Sequence, residues 1–118
     1  MRHRCHRHRM GTDTEHHISL MRNLAISIIE HGKIKTTHAR CQSVQSFIEK
    51  LITIGRKDTL SNRRLALSKL DNIKAVRILF TTIGPKYKER PGGYTRIVKL
   101  PDSRVGDGSK VSIIGLVE

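Results

Sequence analysis

Apolar residues recur at steps of three and four near the start of the chain, which is the spacing of a helix with one buried face. Thr12 and Glu15 precede this stripe with the spacing of a capping box, and Gly32 follows it as a suitable helix end. The pattern therefore predicts a first helix over residues 12–31. Its apolar stripe consists of Ile18, Met21, Ala25 and Ile28.

A second apolar stripe predicts a helix over residues 38–54, with Thr37 as its N-cap. The residues of this face are Val44, Phe47, Ile48, Leu51 and Ile52. Residues 33–37, between the two helices, alternate between polar and apolar side chains. They predict a short strand with Lys33 and Lys35 on one face and Ile34 on the other.

Two shorter helices are predicted in the middle of the chain. The first begins at Asp58 or Thr59 and runs through Leu70, and Asp71 is predicted to cap the second. The pair Gly84-Pro85 is expected to end the second helix, since glycine followed by proline is a common stop. The core face of that helix contains Ile73, Val76, Phe80 and Ile83.

The C-terminal third predicts two strands, over residues 94–100 and 110–118, joined by a loop rich in turn-forming residues. The last strand is apolar on both faces, with Ile113 on one and Ile114 on the other. Such a strand is typically covered on both sides, so we expect it inside the sheet, with residues 33–37 as a candidate neighbour.

A glycine-rich turn precedes the first of these strands. Gly92 and Gly93 follow Pro91, and glycine permits backbone conformations that other residues avoid. Cations and tyrosines on such a turn could pair with phosphates and stack on bases, but a hairpin turn with a solvated charged rim explains the local pattern equally well. The side chains concerned are Lys86, Tyr87, Lys88, Arg90, Tyr94 and Arg96.

Charge decides which partner to expect. The 118 residues include 23 Lys plus Arg against 10 Asp plus Glu, a formal net charge of +13. Such an excess in a small chain points to a polyanion, with nucleic acid first. An anionic membrane surface is the competitor, but the sequence has neither a basic amphipathic helix with bulky apolar side chains nor an apolar run of about 20 residues.

Many of the basic residues lie in an N-terminal segment. Residues 1–10 hold four arginines and three histidines with almost no apolar side chains, so we predict an extended arm over residues 1–11 that orders on phosphates. Residues 12–118 are predicted to form a single domain. A metal site is a weaker alternative, because the possible ligands match no closed zinc spacing. Those ligands would be His3, Cys5, His6 and His8. A mitochondrial transit segment is a further alternative, disfavoured by the lack of serine and of amphipathic pattern.

Catalytic chemistry finds little support in the sequence. There is no phosphate-binding glycine loop, no serine elbow and no cysteine pair at zinc spacing. Cys41 is best explained as a small buried residue, and two unmatched cysteines without a secretory signal indicate a reduced, intracellular protein. We therefore expect no enzyme activity, no cofactor, no metal and no small-molecule substrate.

Several segments together resemble a known family, the seventeenth protein of the bacterial large ribosomal subunit, which also occurs in mitochondria and plastids. The similarity extends over nearly the whole chain, and its most specific part spans residues 89–97. The matching segments are Met1-Arg2-His3-Arg4, Arg22-Asn23-Leu24, Ile29-Glu30-His31, Ile34-Lys35-Thr36-Thr37, Leu51-Ile52-Thr53, Asn62-Arg63-Arg64-Leu65-Ala66, Gly84-Pro85 with Tyr87, Glu89-Arg90-Pro91-Gly92-Gly93-Tyr94-Thr95-Arg96-Ile97 and Leu116-Val117-Glu118.

The resemblance implies an α/β (α+β) fold, with about four helices packed on a small mixed three-stranded sheet and a basic N-terminal arm. It implies a structural role in the large subunit near the polypeptide exit tunnel, with large-subunit rRNA and neighbouring ribosomal proteins as partners. We expect a cytoplasmic ribosome rather than an organellar one. The candidate RNA-binding residues are Arg2, His3, Arg4, Arg7, Arg9, Arg22, Lys33, Lys35, Arg63, Arg64, Lys86, Lys88, Arg90, Tyr94 and Arg96.

One segment departs from the family pattern. Residues 11–17 carry two acids and two histidines where the family is usually basic, so no RNA contact is carried over to them. Two other functions remain open at this stage: a free nucleic-acid module of the nucleoid type, and an RNA-processing enzyme that uses its histidines.

Overall fold

Helices and a three-stranded sheet account for most of the chain. The structure is a computed structural model that describes residues 1, 3 and 10–118. Its helices are α1 (Thr14–His31), α2 (His38–Gly55), α3 (Leu60–Leu70), α4 (Ile73–Ile78), a π-helical turn (Leu79–Ile83) and α5 (Gly84–Lys86). Its strands are β1 (Lys33–Thr37), β2 (Thr95–Ser103) and β3 (Lys110–Leu116). The predicted α+β class is confirmed.

The strands lie in the order β1-β3-β2. The last strand is therefore central and lies beside β1, as the sequence predicts. Both pairs are antiparallel, so the prediction of a mixed sheet is wrong. A short hairpin connection makes β2 and β3 antiparallel, because parallel neighbours need a long crossover. β1 also runs against β3.

Helices α1 and α2 pack on one face of the sheet, which we call the inner face. Ile28 of α1, Ile48 and Leu51 of α2, and Ile114 of β3 are fully buried there. On the opposite, outer face, Val111 and Ile113 are only half-buried, and no helix of the described residues covers them. The apolar pattern of β3 predicted that this strand is covered on both sides. Among the described residues, helices cover only its inner side.

Helix starts differ from the prediction at two places. Asp13, not Thr12, caps α1, and its Oδ1 accepts a hydrogen bond from the His16 N–H at 2.8 Å. Asn72, not Asp71, caps α4 by accepting from the Ala75 N–H at 3.0 Å. Asp71 instead ends α3 in a left-handed conformation, with φ 53°. Short polar residues suit both positions, so sequence alone did not choose between neighbours.

The other two predicted helix starts are confirmed in position, although the Thr37 side chain makes no capping hydrogen bond. Thr37 precedes α2, which begins at His38 and ends one residue beyond the predicted range. Thr59, one of the two candidates, caps α3 by accepting a hydrogen bond from the Asn62 N–H at 3.1 Å.

Gly84 was predicted to end the helix, and this prediction is wrong. Gly84 keeps a right-handed helical conformation, with φ −54° and ψ −55°, and the helical path continues through Pro85 into α5. Proline is tolerated in the first turn of a helix, where no intrahelical N–H partner is needed. A Cβ at Gly84 would lie only 2.1 Å from the carbonyl oxygen of Gly55, so this glycine serves close packing against the end of α2.

The glycine turn before β2 has the predicted backbone. Gly92 and Gly93 have φ values of 156° and 63°, and the Gly93 value lies in the left-handed region that favours glycine. Strand β2 then continues to Ser103, beyond the predicted end at residue 100, with an irregular register between Lys99 and Ser103.

Candidate nucleic-acid interface

The outer face of the sheet brings together three predicted RNA-binding cations. Lys33 and Lys35 of β1 alternate with inward-facing Ile34. Both lysines are exposed, and so is Arg96 of β2. The strand register places Lys33 and Arg96 on either side of Gly115 in β3. Sequence alternation indicated that the two lysines share a face. Only the pairing across β3 adds Arg96 to them.

A second exposed group of cations surrounds the start of the glycine turn. Lys86, Lys88 and Arg90 are all exposed, and the Lys86 ammonium lies 5.4 Å from the centre of the Tyr87 ring. The guanidinium of Arg56, at the end of α2, donates a hydrogen bond to the Lys88 carbonyl oxygen at 2.8 Å. The turn is thus fixed to the helical layer while its cationic side chains face solvent.

Tyr94 does not take the position predicted for it. Its side chain is only 1% exposed and packs against Tyr87 with a distance of 5.3 Å between ring centres. Its hydroxyl accepts hydrogen bonds from Thr53 and from Arg56, each at 3.3 Å. Interpreting Tyr94 as a residue that stacks on RNA is therefore wrong, because its ring belongs to the core.

Arg22 is engaged within the protein. Its Nε donates to the carbonyl oxygen of Lys69 at 2.8 Å, and its Nη2 donates to that of Ser68 at 3.3 Å. These carbonyls end α3, where a helix presents partial negative charge and unpaired acceptors. The side chain therefore fastens α1 to the end of α3, a role that the motif Arg22-Asn23-Leu24 did not reveal.

We expect Arg22→Ala to lower the free energy of unfolding by about 1–2 kcal/mol, because it removes charge-assisted hydrogen bonds and leaves carbonyls of α3 without their partner. Arg64→Ala, on the exposed side of α3, is the matched control and should change it by less than about 0.5 kcal/mol. Denaturant unfolding of the two variants makes the comparison. Equal stability of the two would contradict the structural role of Arg22.

Arg63 and Arg64 are adjacent in sequence but differ in surroundings. Arg63 forms a two-point ion pair with Asp58, at 2.6 and 2.9 Å, and its guanidinium carbon lies 5.3 Å from the centre of the Phe80 ring. The hydrogen bonds from Arg63 hold the pKa of Asp58 below its usual value. Arg64 is exposed. Of the two, Arg64 is better placed to meet a phosphate.

The remaining predicted contacts belong to the N-terminal arm. His3 is exposed. Arg2, Arg4, Arg7 and Arg9 lie outside the described residues, as do Cys5, His6 and His8 of the alternative metal site.

Other chemistry has little basis in the described part of the chain. No group of three His, Cys, Asp or Glu side chains within it could hold a metal ion. Cys41 is fully buried, its Sγ lies 3.7 Å from the Ser112 carbonyl oxygen, and burial raises the pKa of its thiol. A thiol with a raised pKa is a poor nucleophile, so the prediction of a small buried residue holds. None of the described helices is long and apolar enough to cross a membrane.

Comparison with known proteins finds similarity to one family. A family model described as ribosomal protein L17 matches residues 20–117. The protein named large ribosomal subunit protein bL17 in Neorickettsia sennetsu is 48% identical over 118 residues, covering 99% of this chain and all of the relative. The Hydrogenobaculum protein of the same name is 43% identical over the full length of both.

A longer relative shows the same similarity. The bL17 protein of Geobacter metallireducens is 46% identical over all of this chain, which spans 66% of that protein. Identity at this level over the full chain is far above what shared fold alone would give, and the family model covers all the described helices and strands except the start of α1. The chain belongs to the ribosomal protein L17 family.

Proposed function

We propose that the chain is a structural constituent of the large ribosomal subunit, where it binds and stabilises large-subunit rRNA and so supports translation. The observation that carries the proposal is the full-length similarity to proteins named as components of that subunit. The net charge of +13 fits a protein surrounded by RNA phosphates, which supply the negative charge that the chain lacks. The chain acts as a binding protein rather than as an enzyme.

Its partners in this role are large-subunit rRNA and neighbouring proteins of the same subunit, in the cytoplasmic ribosome. The RNA contacts come from the basic arm over residues 1–11 and from cations of the domain over residues 12–118. In the domain, the exposed candidates are Lys33, Lys35, Arg64, Lys86, Lys88, Arg90 and Arg96. Their spread over the sheet and the glycine turn supports contact with RNA on more than one side.

Affinity for rRNA should fall steeply with salt, because each phosphate neutralised releases about one counterion. We expect the logarithm of the association constant to fall linearly with the logarithm of salt concentration, with a slope steeper than about −4 for five or more contacts. Filter binding to a large-subunit rRNA fragment between about 50 and 200 mM salt measures the slope. A slope near zero would contradict electrostatic binding.

Sedimentation tests the assignment to the subunit. The protein should move with the large subunit at low salt and remain with it after a moderate salt wash. Duplex DNA of matched length serves as the competitor in the binding assay. Tighter binding to DNA than to rRNA, together with absence from the large-subunit fraction, would favour a nucleoid-type protein instead.

A further inference from the structure

We propose that the outer face of the sheet is a docking surface for the RNA backbone, on which a phosphate lies over Gly115 between Lys33 and Arg96. This inference rests on the proposed rRNA binding and specifies where one contact is made. This face of the sheet has an unusual feature. The central strand carries apolar residues on a face that no helix of the described residues covers, although Ile114 on the other face is fully buried.

The register places side chains of the three strands in rows across this face. One row is Lys33–Gly115–Arg96, and the next is Lys35–Ile113–Val98. Adjacent strands lie about 4.8 Å apart, so the backbones carrying Lys33 and Arg96 are separated by about 10 Å. Both side chains are long enough to converge on a group that lies between them.

Gly115 leaves the middle of the first row open. With hydrogen in place of a side chain, it allows a ligand to approach the sheet backbone closely. A Cβ at this position would lie 3.0 Å from the Cβ of Lys33, so any larger residue would press against the lysine stem. The row therefore has two cations at its ends and a gap between them, which suits a compact anion such as a phosphate.

The second row indicates what the rest of the partner looks like. Val98 is 50% exposed and Ile113 is half-buried, so the row offers an apolar surface next to the cation of Lys35. An RNA strand presents phosphates together with the less polar faces of its riboses and bases, and both would find a counterpart here.

Charge complementarity favours RNA over a protein partner. None of the regularly paired outward positions of the three strands carries a carboxylate, and Asp102 lies beyond them, in the irregular end of β2 six residues from Arg96. A protein partner would need to bring several buried acids to neutralise the cations of this face, whereas an RNA backbone carries one charge at every nucleotide. The outward positions are Lys33, Lys35, Thr37, Arg96, Val98, Val111, Ile113 and Gly115.

The test is a triple variant, Lys33→Thr with Lys35→Thr and Arg96→Thr, in which threonine keeps the preference for strand. Lys33 and Arg96 share one phosphate in the proposal, and Lys35 accounts for one more. At 0.1 M salt each lost phosphate contact should weaken rRNA binding by roughly five- to eightfold, so the triple variant should lose roughly 25- to 60-fold. Its salt slope should fall by about 1.5–2. Its thermal melt should stay near that of the unchanged protein, since these side chains are exposed.

The control removes the same charge from exposed helical positions: Lys50→Gln with Lys74→Gln and Arg77→Gln. It should retain most of the affinity. If it loses as much as the sheet variant, binding is diffuse and the docking surface is wrong. If the sheet variant binds rRNA normally but fails to join the large subunit, the face receives a protein, which also overturns the inference. If the unchanged protein itself does not bind rRNA, the proposed function fails.

Discussion

Replacing Gly84 with alanine is expected to lower the free energy of unfolding by about 3 kcal/mol or more. The new Cβ would lie 2.1 Å from the carbonyl oxygen of Gly55 and 3.2 Å from that of Leu79. Both obstacles are backbone atoms, so no side-chain rotation relieves the clash, and the end of α2 must separate from the start of α5. Gly55 is itself confined, because its own Cβ would meet Leu79 at 2.9 Å.

Thermal and denaturant unfolding of Gly84→Ala measure this effect, which corresponds to a fall in melting temperature of roughly 10 °C. Gly32→Ala is the control. Gly32 has φ 81° and open space around its Cβ position, so alanine there introduces only backbone strain of about 1–2 kcal/mol. A smaller loss for Gly84→Ala than for Gly32→Ala would show that the contact between the end of α2 and the start of α5 is looser than the structure indicates.

The Gly84 case illustrates a general difficulty of interpreting glycine in a sequence. Glycine before proline usually ends a helix, and the sequence offered no sign that the residue was needed for close packing instead. Such a contact joins residues 55 and 84, which are distant in the chain. Local patterns describe neighbours along the chain, so they cannot distinguish these two uses of glycine.

Helices and strands whose sequence has a clear hydrophobic period were predicted well. The stripe of α2 fixed that helix to within one residue, and the two-sided apolar pattern of β3 identified the central strand. Both signals arise directly from burial, which determines the fold. Helix caps at Asp13 and Asn72 were displaced by one residue, since neighbouring Thr12 and Asp71 can make the same kind of hydrogen bond.

The candidate interface was predicted only in part, because composition reveals the number of cations but not their partners. Arg22 and Arg63 are as basic as Arg64, yet the first holds the end of α3 and the second pairs with Asp58. The row that joins Lys33 to Arg96, which are more than 60 residues apart in sequence, depends on the register of both β1 and β2 with β3. These distinctions appear only once the tertiary structure is known.

Substitution of Tyr94 tests most directly what holds the glycine turn in place. We expect Tyr94→Ala to lower the free energy of unfolding by about 3–5 kcal/mol, as large-to-small changes at buried aromatic positions do. The ring packs against Tyr87, whose hydroxyl donates a hydrogen bond to the Val117 carbonyl oxygen. The Tyr94 carbonyl oxygen accepts from the Val117 N–H at 2.8 Å. Loss of the ring therefore loosens the turn and the end of the chain together.

Tyr94→Phe separates this structural role from RNA recognition. It keeps the ring and removes only the hydroxyl that accepts from Thr53 and Arg56, so the free energy of unfolding should fall by about 1 kcal/mol while rRNA affinity stays unchanged. Arg90→Gln should do the reverse, weakening rRNA binding with little change in unfolding, because its side chain is exposed. If Tyr94→Phe instead weakens rRNA binding as much as Arg90→Gln does, with normal unfolding, the tyrosine must leave the core to meet RNA. In the structure the tyrosines of the turn hold it in place, and the exposed cations beside them are the groups that we propose to face the phosphates.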